Sequence, residues 1–316
     1  MSPAQESAKY GGGFVALDLG TAWTRTSRGA AIAGRPSEVL AASSQDPEAR
    51  VRPLRHGMVA DPAACLRLVR EALQDARPPD DEPVERVLVG VPLAATQSDR
   101  RAVHAAVIEA VTGRPATTPI PATVGGRAGG IGSPAAGDPA RHPAASPAGT
   151  SPGDSAVDSE DVSGVAGGVA VWLVDEPVAA AVGAGLDVSG PQPFLLLDVG
   201  AGIVEAVAVC GGSVCDAAAL QLGATTSAGL LPYALDGVVE MTAALVRRLP
   251  DDVRRAVPSL TVTGGGARQQ RLLQRLQPAL RMPVHAAPEP EHATIRGLSL
   301  IGRRPDLLPE ITRYGR

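Results

Sequence analysis

Two stretches of this chain place an aspartate and glycines directly behind a short apolar run. Phe14 to Leu17 leads into Asp18, Gly20 and Thr21, and Phe194 to Leu197 leads into Asp198, Gly200 and Gly202. A third apolar run, Leu260 to Thr263, enters Gly264, Gly265 and Gly266. A strand that ends in such a turn offers backbone N–H groups to a phosphate, and its aspartate is placed to hold a divalent cation through water. Consecutive glycines leave room for a base or ribose to lie against the backbone. A helix predicted from Ala267 to about Gln277 turns its N-terminal end toward that negative charge. One such turn is common in proteins of every function. Three in this order point to a nucleotide's phosphates gripped between two similar half-domains. The reading requires Gly20 and Gly200 to face each other across a cleft.

The elements that must position these turns are legible in outline. Gly29 to Leu40 reads as one or two short strands. Asp61 before Pro62 reads as an N-cap followed by proline at the first helical position, with Cys65, Val69 and Leu73 as the apolar stripe of a helix to about Asp75. Val84 to Val91 reads as a buried strand, and Gln97 to Val111 as a helix with Val103, Val107 and Ala110 on one side. From 112 to 168 the chain is Gly, Pro, Ala, Ser and Thr with few large apolar residues, which predicts a disordered insertion. Order returns with the strand Val169 to Val174 and an alanine-rich helix behind Asp175-Glu176-Pro177. Val204 to Val209 and Ser213 to Leu220 read as a hairpin around Gly211-Gly212. Helices are expected over Asp236 to Leu249 and Ala293 to Ile301.

Of the 316 residues 44% are apolar, 20% charged and only 2% aromatic, and the formal charge is −4. No broad basic field and few stacking rings argue for nucleic acid, so no nucleic-acid partner is expected. Length allows about two domains. The three cysteines, Cys65, Cys210 and Cys215, lack metal-ligand spacing and sit in apolar surroundings. They read as reduced thiols of a cytoplasmic protein. Residues 1–10 carry no apolar signal core, and no run reaches membrane-spanning length.

The three turns resemble the phosphate-1, phosphate-2 and adenosine motifs of the actin, Hsp70 and sugar-kinase superfamily. Within it the chain resembles the MreB family of bacterial actin homologues. The resemblance is carried by Asp18-Leu19-Gly20-Thr21-Ala22, by Arg52-Pro53-Leu54-Arg55 through Gly57 to Asp61, and by Val89-Gly90-Val91-Pro92 with Asp99-Arg100-Arg101-Ala102-Val103. VDEPVAAAVGAGLDV, Val174 to Val188, is the most telling segment, followed by Thr263-Gly264-Gly265-Gly266-Ala267 and Pro290 to Gly297.

The resemblance implies an α/β actin-like ATPase fold built from two ribonuclease-H-like subdomains. The first would span 11–111, with a returning helix at 290–303, and the second 169–289. It implies ATP or ADP with Mg²⁺ in the cleft, Asp18 and Asp198 as the cation-side carboxylates, and Glu176 as the catalytic residue that places the attacking water. Gly20, Thr21, Gly200, Gly202 and Gly264 to Gly266 would line the nucleotide. It also implies cell-shape and cell-wall function, homo-oligomers or co-assembly with a full-length bacterial actin homologue, cell-wall elongation proteins as partners, and peripheral attachment at the inner face of the membrane. The residue-level alternative for Glu176 is a helix N-terminal acid favoured by the dipole.

The chain departs from the family pattern in several places. Ile203 and Val204 stand where the family has threonines, and a hydrocarbon cannot hydrogen-bond a phosphate or a water. Leu222-Gly223-Ala224-Thr225 replaces a Gly-Gly-Asp turn. Trp23 replaces a small polar residue beside the first turn, with packing on the sheet as its expected role. About 40 residues separate Gly223 from Gly264, so the small subdomain called IIB is expected to be largely absent, and Pro36 to Arg52 is expected to form a trimmed counterpart. Two readings follow: a reduced MreB-like accessory protein with weak or no ATPase, or a nucleotide-free scaffold that recruits partners through its insertion. A small-molecule kinase or an ethanolamine-utilisation chaperone of the same superfamily ranks below both.

Overall fold

A computed structural model of the chain describes residues 13–29, 31–42, 46, 48–76, 84–113, 168–211, 213–222, 225–226, 229–230 and 232–307. The expected insertion, apart from its edges, and Gly223 and Ala224 lie outside the described residues.

Strand β1 (Phe14–Leu19) turns at Gly20 into the antiparallel β2 (Trp23–Arg28), which pairs in turn with β3 (Ala31–Pro36). Two short pairs follow, β4 (Val39–Leu40) with β5 (Arg50–Val51) and β6 (Leu54–Arg55) with β7 (Met58–Val59). Helix α1 (Pro62–Asp75) begins where sequence reasoning puts it: the Asp61 carboxylate accepts from the Ala64 N–H at 2.9 Å. β8 (Arg86–Val91) is buried along its whole length and lies parallel to β1. Helix α2 (Gln97–Thr112) opens on a Thr96–Asp99 capping box and closes on Gly113 at φ 67°.

β9 (Ala170–Asp175) hydrogen-bonds parallel to β8 and completes a sheet of order β3-β2-β1-β8-β9. This corrects the expected boundary at 169. The strand belongs to the first sheet, because a strand buried on both faces reads the same in either one and only pairing decides. Helix α3 (Glu176–Gly183) then leads to β10 (Phe194–Val199), β11 (Ile203–Cys210) and β12 (Ser213–Gln221).

Between β12 and the next long strand the described residues form β13 (Thr225–Thr226), β14 (Gly229–Leu230), helix α4 (Pro232–Arg248) and helix α5 (Asp251–Ala256). β15 (Leu260–Thr263) pairs parallel with β10, and β16 (Val284–Ala286) with β15. The second sheet therefore has the order β12-β11-β10-β15-β16. The two sheets repeat one topology: a three-stranded meander, then two parallel strands beyond its first strand.

After Gly264 the chain forms a 3₁₀ turn, Gly265–Arg268, and helix α6 starts at Gln270 (Gln270–Leu280). The helix expected from Ala267 is thus delayed, since Gln269 is extended at φ −82° and ψ 96° and breaks the run. Helix α7 (Ala293–Arg303) closes the described chain, after a 3₁₀ turn at Pro290–His292.

Three apolar clusters make five layers. Leu17, Val87, Val89 and Val171 pack one face of the first sheet on α1 and α2. Leu195, Leu197, Val204 and Val262 pack one face of the second sheet on α4 and α6. Between the sheets lie α3 and α7, whose Ala179, Ala180, Ile295 and Leu298 meet Ala16 and Leu88 on one side and Leu196 and Val207 on the other.

The cysteine expectation holds for Cys65, which is free and buried, its thiol pushed up to about 12 by burial and by Asp61. It fails for Cys210 and Cys215, which form a disulfide. A register shift at Ala208/Val209 inserts Cys215 as an extra residue and brings its Cα to 5.8 Å from that of Cys210. The compartment argument from reduced cysteines therefore does not stand on these two. Among the described residues no helix is long and apolar enough to cross a membrane.

Candidate functional site

The tips of the β1–β2 and β10–β11 hairpins border one cavity of about 120 Å³. Asp18, Gly20, Thr21, Glu176, Asp198, Gly200, Gly202, Gly264 and Gly265 all line it, so Gly20 and Gly200 meet at one cleft. The tips are alike in detail. A Cβ on Gly20 would stand 2.7 Å from the Trp23 carbonyl oxygen, and one on Gly200 would stand 2.9 Å from that of Ile203. Each glycine is required by its own turn folding back.

Gly202 answers to the opposite tip. Its Cβ would stand 2.4 Å from Thr21 Oγ1. The same Thr21 oxygen accepts from the Gly57 N–H at 2.8 Å, and His56 Nδ1 donates to the Gly202 carbonyl at 2.9 Å. The two tips are therefore in contact, tied by the β6–β7 turn. Behind them, Gly264 sits at φ 77° and donates its N–H to the Pro290 carbonyl. Gly264 and Gly266 are each pressed against Val199, and Gly266 does not reach the cavity; a Cβ on Gly265 would meet open space. Gly265 alone of the three leaves backbone surface free for a flat group. Trp23 is 48% exposed at the cleft, not packed on the sheet as expected.

Carboxylates crowd the floor. Burial raises Asp18 to about 6, with Asp198 adding to the rise and Arg25 opposing it. Asp198 is raised by burial, while the Thr263 hydroxyl, donating to its Oδ1 at 2.7 Å, and Arg25 pull the other way. Glu176 is raised well above the ordinary range by burial and by Asp18, Glu205, Asp198 and Asp175. Its Oε1 is buried without a hydrogen-bond partner. Asp175 is held by Arg100 at 2.6 Å.

Sequence reasoning missed Arg25, Glu205 and His56. Arg25 Nη1 lies 3.6 Å from Asp18 Oδ2, directly across the first hairpin. Glu205 is directly across from Asp198 in the second hairpin, at the equivalent position. Its carboxylate accepts from the Leu93 and Ala94 N–H groups at 3.2 and 2.8 Å, joining the second sheet to the end of β8. The shared signal was a seven-residue spacing from each aspartate, which means a cross-strand pair only once the turn length is known.

A divalent cation beside Asp18 and Asp198 does not fit these residues. One carboxylate already faces a guanidinium and the other a hydroxyl. A dication about 4 Å from Arg25 would be repelled by about 2 kcal/mol even at the dielectric of water, and by several times that in a half-buried cleft. Among the described residues no three His, Cys, Asp or Glu side chains are grouped to hold a metal directly.

A family model described as MreB/Mbl protein matches residues 154–228 of this chain. The cell shape-determining protein MreB of Escherichia coli K12 is 24% identical over 176 residues, covering 55% of this chain and 35% of that relative. The match thus spans about a third of the relative's length. Two crystal structures of MreB5 of Spiroplasma citri, one bound to ADP and one to AMPPNP, share the fold at TM-scores of 0.63 and 0.62. Each has 15% identity, with 92% of this chain and 96% of the other covered.

The chain has the actin-like fold and is similar to MreB proteins over part of its length. The actin-like fold also accounts for a TM-score of 0.53 to the ethanolamine utilization protein EutJ of Carboxydothermus hydrogenoformans, at 15% identity over 90% of this chain. A larger hollow of about 690 Å³, lined by Val246, Arg247, Arg254 and Leu280, lies in the second half away from the paired hairpins. Size alone does not make it the site. It is lined by none of the aspartates and glycines of the cleft.

Proposed function

We propose that this MreB-like chain is a cell-shape and cell-wall morphogenesis factor that binds the phosphates of ADP or ATP weakly in the cleft and hydrolyses them slowly or not at all. The observation that carries the reading is the single cavity shared by both hairpin tips, Glu176 and Gly265. On this reading Asp18 and Asp198 hold Arg25 beside the phosphate chain, Gly20, Thr21, Gly200 and Gly202 face its oxygens, and Gly265 faces the nucleoside.

On this reading Glu176 orients a water, yet burial and its acidic neighbours favour the protonated form, which accepts a proton poorly. Ile203 offers no hydroxyl to assist it. Slow turnover follows from both. The reduced segment between β12 and β15, with two helices and one pair of two-residue strands among the described residues, leaves the nucleoside side open. That supports weak binding and a role in co-assembly with a full-length bacterial actin homologue beneath the membrane, beside cell-wall elongation proteins.

Calorimetry and thermal shift on the full chain with ADP and ATP test the nucleotide part. Sedimentation with and without a full-length bacterial actin homologue tests co-assembly. Heat of binding with ADP or ATP is the expected result; no heat and no shift with either nucleotide overturns it. A second reading, the nucleotide-free scaffold, is favoured by the closed tips. The Thr21–Gly202 contact leaves about 120 Å³, against the several hundred Å³ typical of ligand pockets. Nucleotide binding therefore requires that contact to part.

A further inference from the structure

We propose that Arg25 is the resident cation of the cleft, standing in for a divalent metal between Asp18 and Asp198, so that this chain takes a nucleoside diphosphate without metal. The inference rests on the nucleotide reading above and specifies how the phosphates are held.

Charge balance in the cavity is the first ground. Its charged lining is Asp18, Glu176, Asp198 and Glu291 against Arg25. Glu291 is already paired with Arg268, and that arginine lies outside the lining. An anionic diphosphate entering among these carboxylates needs a positive partner, and among the described residues Arg25 is the one the lining supplies.

Placement is the second. Arg25 projects from β2 onto the side of Asp18, and its side chain is 17% exposed, so the head group is largely withdrawn from water yet reaches the cavity. The pair with Asp18 engages one guanidinium nitrogen at 3.6 Å. A guanidinium has five N–H donors in a planar fork, and that fork matches two phosphate oxygens as a compact ammonium does not. Arg25 also acts electrostatically on Asp198, so one fixed charge serves both carboxylates.

The duplicated hairpin supplies the third ground. The equivalent residue of the second half, Glu205, turns its carboxylate to the Leu93 and Ala94 N–H groups. The same strand position therefore carries opposite charges in the two halves, and only the first bears a cation on the cavity. Glu176 adds a buried oxygen without a partner on the same wall, a polar group that a bound ligand or water would satisfy.

Titrating ADP into the full-length chain by calorimetry, once in EDTA and once in millimolar Mg²⁺, tests this. The inference expects dissociation constants within about twofold of each other. It also expects Arg25→Met to weaken binding at least tenfold in EDTA, and Arg25→Lys to keep binding in EDTA with a smaller loss. A metal readout runs in parallel, using Mn²⁺ and paramagnetic resonance. The unaltered chain should bind no Mn²⁺ at the cleft, whereas Arg25→Met should acquire a site that Asp18→Asn in the same chain removes.

Thermal melts of each variant establish that it is folded. If Arg25→Met does not fold, the unaltered chain and Arg25→Lys decide. ADP binding by the unaltered chain only when Mg²⁺ is present overturns the inference and leaves the nucleotide reading intact. No ADP binding under either condition overturns both.

Discussion

Glu205 joins the halves through a carboxylate buried to 2% exposure, and burial pushes it up to about 7 against backbone hydrogen bonds that pull it down. A carboxyl raised in the folded state binds more protons folded than unfolded between its ordinary value near 4.5 and about 7. Its contribution to stability is therefore fully present below pH 4.5 and lost as pH rises to 7. Asp18 acts in the same direction between its ordinary value and about 6. Denaturant unfolding at pH 5 and pH 8 should show greater stability at pH 5 in this respect, with Glu205 accounting for up to about 3 kcal/mol. Glu205→Gln, which does not titrate, should flatten the difference; an unchanged slope would mean that the carboxyl is solvated.

Gly202 offers a second residue-scale prediction. Ala there puts a methyl against Thr21 Oγ1 and the His56 backbone, and should cost about 1–3 kcal/mol in a urea melt. Thr21→Ala in the same chain should recover part of the loss. Asp18, Asp198 and the glycines were legible in the sequence because a strand followed by Asp-x-Gly is a local pattern. Arg25, Glu205 and His56 were not, because their meaning arises across a hairpin or across the cleft, where register and not sequence neighbourhood decides.

Helices α3 and α7 are the elements that fix how the two sheets meet. A Cβ on Gly183 would stand 1.8 Å from the Ala293 carbonyl oxygen, and one on Gly297 would stand 1.7 Å from that of Ala179. The two backbones are in contact, and no side chain fits between them. Gly297→Ala must push the helices apart against both sheets, and should destabilise by about 3 kcal/mol or more, read as a lowered urea midpoint. An equal substitution at Gly113, where no atom lies within 4 Å, strains only its positive φ and should cost about 1 kcal/mol. The alanine run of α3 announced a helix. Its partner lies more than a hundred residues away, and nothing local to either helix names the other. The same holds for β9, whose composition suits either sheet, and for the Cys210–Cys215 pair, which depends on a one-residue bulge.

At the scale of the molecule, the repeated sheet order was foreseeable from two Asp-Gly hairpins at corresponding points, and the actin-like fold from the motifs between them. The reduction between β12 and β15 was a matter of counting residues. The segment joining α2 to β9 is far longer than such a crossover requires, since helix-to-strand connections are commonly 2–6 residues. Replacing residues 114–167 by a short Gly/Ser linker should leave the melting temperature within about 3 °C, because a composition so poor in large apolar residues has little to bury. A larger fall would mean that the segment packs on the fold.

The crossing of α3 and α7 also determines what motion the protein allows. Backbones locked at Gly183 and Gly297 cannot slide past one another, so the sheets are left to swing about that point like the blades of scissors. Any widening of the gap between Thr21 and Gly202 that keeps both sheets whole has to turn about that one crossing.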